Sequence, residues 1–133
     1  MNIRKLFVIG GASFCFVGCS HPPIDAEKPT TIGSITYQAT TSPNPPHTGD
    51  DDILLTLWDS STHALIGDAN VTGSADMIAP QIKGQSVSGR SRGGGVYDIP
   101  VRFAVGTQYD VTISVERRQK SPVTIDYKVD VQQ

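Results

Sequence analysis

The feature that most constrains this chain is a two-residue hydrophobic period that recurs from Ile35 to the C-terminus. Ile35, Tyr37 and Ala39 alternate with Thr36, Gln38 and Thr40. Ile53, Leu55 and Leu57 follow the same rule, and Leu54 and Trp58 make that run apolar on most of both faces, as in a central strand. Val71, Gly73, Ala75 and Met77 form a small-residue face. Residues 85–91 read as a polar strand around Val87. Tyr97 to Val105, Tyr109 to Val115 and Val123 to Val131 then alternate strictly. A period of two puts each apolar set on one face of a strand. Pro43 to Pro46, Gly67-Asp68, Pro80, Gly93 to Gly95, Gly106 and Pro122 punctuate the runs as turns. No useful helical period appears beyond the N-terminal segment. The pattern predicts an all-β, immunoglobulin-like β-sandwich of about seven antiparallel strands. Pro100 lies inside its run, so that strand is expected at an edge or with a bulge. Tyr109 stands where a tyrosine corner would tie its hydroxyl to nearby backbone; a plain core tyrosine is the other reading.

The first residues carry a different signal. Arg4 and Lys5 precede an apolar run, Leu6 to Val17, which at roughly a dozen residues is too short to span a bilayer. Phe16-Val17-Gly18-Cys19 resembles the bacterial lipobox, with Phe16 in the usual place of Leu. Small Gly18 suits the peptidase, whereas bulky Phe14 before Cys15 does not. The resemblance implies a signal peptide over residues 1–18 and acylation of Cys19, which would anchor the mature chain in membrane lipid. Ser20 at the following position implies an outer-membrane anchor facing the periplasm. Residues 19–34 are then the lipid anchor and a Pro-rich flexible tether, reaching about 50 Å when extended, with His21 as solvated spacer. Residues 35–133 form the domain.

Charge and cysteine content close off other classes. The formal net charge is −2, and losing the signal leaves nine basic against thirteen acidic residues, a net of −4. A strongly basic nucleic-acid binder is excluded. The two cysteines, Cys15 and Cys19, both fall in the processed segment, so no disulfide framework or thiolate metal site is expected.

Ordered pieces of the domain resemble a known family. They are Ser42-Pro43-Asn44-Pro45-Pro46 with Gly49, the strand Ile53 to Trp58 ending in Asp59, Ala69-Asn70-Val71, Met77 with Pro80, Gly95-Val96-Tyr97, and Gly106 to Val111. This series, over about residues 36–131, is similar to the YtkA-like domain related to FixH-type periplasmic proteins. The resemblance implies an extracytoplasmic sandwich and association with copper handling, oxidase assembly or heavy-metal efflux. Its metal chemistry rests on a methionine loop, because a neutral thioether suits cuprous copper. Only Met77 matches that loop here; Ile78, Gln81, Ile82 and Lys83 stand where further sulfurs would be, and Tyr109 replaces the family's Trp. Met77 therefore reads either as packing or as a single weak ligand completed by a His or by a partner.

The remaining candidates have two readings each. His47 and His63 lie in turns and are surface residues, unless the loops bring them together as metal ligands. Asp50-Asp51-Asp52 is a charged strand entrance or a cation lure without calcium-loop spacing. Gly93 to Gly95 is a hairpin rather than a phosphate cradle, and Arg117-Arg118-Gln119-Lys120 is a basic hairpin tip that solubilises the turn or faces anionic lipid. No catalytic set can be singled out. The expected function is a membrane-anchored, non-catalytic binding or accessory module of the envelope, linked to copper or heavy-metal efflux. The alternative is a structural protein–protein interaction module of the periplasm with no metal role.

Overall fold

The computed structural model describes residues 27–133. The lipobox, Cys19 and His21 lie outside the described residues. Nine strands are present among those residues: β1 (Thr30–Ile32), β2 (Ile35–Ser42), β3 (Gly49–Asp59), β4 (Asn70–Met77), β5 (Val87–Ser88), β6 (Arg90–Gly93), β7 (Val96–Phe103), β8 (Gln108–Glu116) and β9 (Val123–Asp130). They form two antiparallel sheets, ordered β1-β2-β3-β7-β6 and β5-β4-β8-β9. This is the all-β sandwich that the period of two predicts.

The alternation decides which residues enter the core. Ile53, Leu55 and Leu57 of β3 and Tyr97, Ile99 and Phe103 of β7 are buried from one sheet, against Val71, Val111, Ile113 and Ile125 from the other. Burying each such side chain contributes about 1.5–3 kcal/mol. The small-residue face of β4 has a packing reason. A Cβ on Gly73 would stand 3.1 Å from Ile99 Cγ2, so the glycine makes room for the larger residue opposite. Phe103 and Tyr109 pack with ring centroids 4.8 Å apart. The Tyr109 hydroxyl donates to the Val105 carbonyl at 3.0 Å and accepts the Val105 N–H at 3.2 Å, which makes the tyrosine corner.

Two departures from the sequence reading have local causes. Thr30–Ile32, within the segment read as tether, forms β1 along the β2 edge. Glu27 is also tied down, with its carbonyl accepting from Gln38 and its carboxylate from Asn44. The single polar strand expected over residues 85–91 is two strands in different sheets: β5 pairs with β4 and β6 with β7. Gly89 makes the crossing, its N–H bonded to the Val71 carbonyl, where a Cβ would press on Ile99 at 3.1 Å and Val71 at 3.2 Å. Pro100 is accommodated because β6 pairs with β7 only between Val96 and Asp98, so β7 is an edge at the proline.

Candidate functional site

The register sorts the loops between the two ends of the sandwich. Gly49 lies opposite Phe103 and Met77 opposite Tyr109 at one end, which also carries the β2–β3 loop. Asp59 lies opposite Ile35, and Asn70 opposite Glu116, at the other. Glu27, bonded to Asn44, brings the chain in at the first end.

Met77 is the last residue of β4. It is half-buried, and its backbone exchanges hydrogen bonds with Ile82 at 2.8 and 3.1 Å, closing the turn over Pro80. The hollow beside it is lined by Asp76, Asp110, Lys83 and Lys128 among others, hard oxygen donors and cations rather than a second sulfur or an imidazole. His47 is exposed at the same end, bridged to Gln132 beyond β9, with Nδ1 3.0 Å from the Pro45 carbonyl. Strands β8 and β9 stand between β4 and that position, on the order of 14 Å across three strand spacings. His63 is at the opposite end, in the turn after Asp59, at φ 63°. The structure thus brings none of the three candidate ligands together. No three His, Cys, Asp or Glu side chains gather in metal-binding geometry among the described residues. The copper implied by the resemblance does not fit a site made by one copy of this domain.

The aspartate triplet is likewise divided by the strand. Asp50 is exposed and bonded to Arg102 at 2.7 Å. Asp51 points inward, is 5% exposed, and accepts the His47 N–H at 3.0 Å. Asp52 points outward near Asp98; its burial, and then the hydrogen bond and charge of Asp98, hold its carboxyl above the usual range. Consecutive residues on opposite faces do not converge on one cation.

The basic hairpin tip lies at the end away from the chain entry. Arg117 is turned inward to Asp59 at 3.0 Å, so Arg118 and Lys120 alone carry the tip's free charge. Gly93, Gly94 and Gly95 form the β6–β7 hairpin, all at positive φ.

One cleft among the described residues has no counterpart in the sequence reading. It measures about 580 Å³ and opens at the entry end, between Pro100-Val101-Arg102 of β7 and Gly84, Gln85 and Val87 on the other sheet. Asp50, Asp51, Asp52 and Lys83 also line it. The one available signal was Pro100, which marks where β7 loses its neighbour.

These features define an antiparallel β-sandwich with a cleft at its chain-entry end. No family model matches the chain, and no curated protein matches it by sequence. Solved structures do share the fold. A copper-bound variant of FetP from uropathogenic Escherichia coli matches with a TM-score of 0.61 at 13% identity, over 79% of this chain and 94% of that one. A DUF4426 family protein from Pseudomonas aeruginosa matches at 0.54 and 17%, over 80% and 97%. Copper-reconstituted P19 from Campylobacter jejuni matches at 0.56 and 8%, over 78% and 92%. At these identities the likeness establishes the fold.

Proposed function

We propose that this chain is a non-catalytic accessory module of the bacterial envelope, of YtkA-like or FixH-like type, anchored through acylated Cys19 and docking a partner at its chain-entry end. The observation that carries this reading is the cleft, walled by a strand edge that has no neighbour among the described residues, at the end where the chain enters. Anchored there, the domain would hold the cleft toward the membrane, and the Arg118–Lys120 tip away from it. An outer-membrane, periplasm-facing place agrees with Ser20 and with FetP having been expressed in the periplasm of E. coli.

A second reading, a copper-linked accessory role, is supported by the copper-bound FetP and copper-reconstituted P19 neighbours. In it Met77 gives one thioether and the partner supplies the rest. Two measurements separate and test these readings. Cys19→Ala should release the chain from the membrane fraction; unchanged association would remove the anchor. Cuprous titration of the purified Cys19→Ala chain should show no binding tighter than micromolar, with Met77→Leu alike. Tighter binding lost in Met77→Leu would replace the docking reading with a metal carrier.

A further inference from the structure

The cleft has the makings of a strand slot. The Leu57 N–H donates to the Gly95 carbonyl at 3.0 Å, which fixes the parity of the β3–β7 ladder. Leu55 with Tyr97, Ile53 with Ile99, and Asp51 with Val101 are then the pairs that exchange hydrogen bonds. Asp98, Pro100 and Arg102 therefore turn their backbone groups toward the other edge. There β6 meets β7 only as far as Asp98, opposite Arg90. Beyond it, the Pro100 carbonyl and the Arg102 N–H and carbonyl face no strand among the described residues. The free stretch from Ile99 to Phe103 spans about 17 Å. Gly84, Gln85 and Val87 form the far wall. The gap is where β6 would continue if the chain did not cross at Gly89.

The lining charge selects among occupants. Arg102 is paired with Asp50 and Lys83 with Asp76. Asp51 and Asp52 have no ion-pair partner among the described residues, so the slot is net acidic. Pro100 withholds one N–H, which shortens the run that a second copy could pair with and disfavours edge-to-edge association. An added strand gains affinity from the backbone and specificity from its alternating side chains.

Building on the docking reading above, we propose that this slot takes an extended basic peptide segment of an envelope protein. The segment adds as a strand to the β7 edge beyond Asp98 and presents the alternate Lys or Arg side chains of one face to Asp52, which lines the cleft on the outer side of the sheet.

The test uses the full chain carrying Cys19→Ala, isotope-labelled, with the blocked peptide Val-Lys-Val-Lys-Val-Lys as probe. Binding should shift the amides of Arg102, Gly84 and Gln85 and slow exchange of the Arg102 N–H. The Val-Glu counterpart should bind at least tenfold more weakly. Arg102→Pro, which removes the free N–H, should weaken the basic peptide at least tenfold, whereas Arg102→Ala should not. Thermal melting of each variant confirms that it is folded. Equal binding of the acidic peptide, no change at the Arg102 amide, or no loss in Arg102→Pro overturns the slot. So does sedimentation showing a dimer of the chain alone that Arg102→Pro dissociates, since the occupant is then a second copy. Copper binding through Met77 would overturn the docking reading by a separate measurement, so the two failures are distinguishable.

Discussion

Asp59 and Arg117 join the two sheets through a 3.0 Å ion pair between residues 58 apart in the chain. Both side chains are mostly covered, at 14% and 16% exposure. Asp59 also accepts the backbone N–H groups of Thr62 and Ser61 at 3.0 and 2.9 Å. One carboxylate thus caps the β3–β4 turn and clamps the β8–β9 hairpin to the opposite sheet.

That carboxylate should make folding acid-sensitive. The Thr62 N–H first, then Arg117 and the Ser61 N–H, hold the Asp59 carboxyl well below the usual carboxylate range. A group whose pKa is lowered by folding adds stability above its unfolded value, about 3.9. It loses that contribution as pH falls toward the folded value. Asp59→Asn should lower the urea midpoint at pH 7, with most of the difference gone by about pH 2. An undiminished difference at acid pH would show that the turn needs Asp59 for shape rather than charge.

The tyrosine corner gives a second expectation. The Tyr109 hydroxyl bonds both the N–H and the carbonyl of Val105 across the β7–β8 connection. Tyr109→Phe keeps the ring against Phe103 and removes only those bonds, so it should cost about 1 kcal/mol. Chemical denaturation measures it. A neutral substitution would mean that water replaces the hydroxyl without loss.

The strands legible in the sequence are those whose alternation is enforced by burial on one face: β2, β3, β7, β8 and β9, with β4 showing the same period through its small residues Gly73 and Ala75. What was not legible depends on partners distant in sequence. β1 is three residues with no buried member, so its only signal is the β2 edge beside it. The split of β5 from β6 turns on Gly89, whose crossing is dictated by Val71 and Ile99 of two other strands. The inward place of Asp51 could have been found, because it keeps step with Ile53, Leu55 and Leu57; within an Asp triplet, composition hid the parity. Arg117 read as tip charge because its partner Asp59 is far away in the chain. Of the candidate site, Met77 and His47 reach one end and His63 the other, a division that only the topology supplies.

The β6–β7 hairpin separates two kinds of glycine cost. Gly94, at φ 61°, has open space around its missing Cβ. Gly94→Ala should therefore cost only the backbone term, about 1 kcal/mol. Gly95, at φ 79°, would set a Cβ 2.9 Å from Leu65 Cδ2 and 3.1 Å from the Leu57 carbonyl oxygen. That carbonyl belongs to β3 and does not move freely, so Gly95→Ala should cost about 2–3 kcal/mol. Parallel thermal melts compare the two, and equal losses would mean that the hairpin shifts to absorb the extra methyl.

Asp52 should behave oppositely to Asp59 with pH. Burial, then the hydrogen bond and charge of Asp98, raise its pKa above the ordinary carboxylate value, against the weaker opposing pull of Arg92 and Arg90. A pKa raised by folding means that the protonated form is favoured in the fold. The contribution is complete below the unfolded pKa and is lost as pH rises through the folded one. At pH 7 the ionised Asp52 therefore works against the fold. Asp52→Asn, which is neutral at every pH, should be more stable than the parent at pH 7 by up to about 1 kcal/mol, since solvent screens a half-exposed group. Near pH 3 the two chains should converge. Chemical denaturation at pH 3, 5 and 7 follows the difference. A loss of stability at pH 7 would mean that the ionised Asp52 is paired by Arg92 strongly enough to outweigh Asp98.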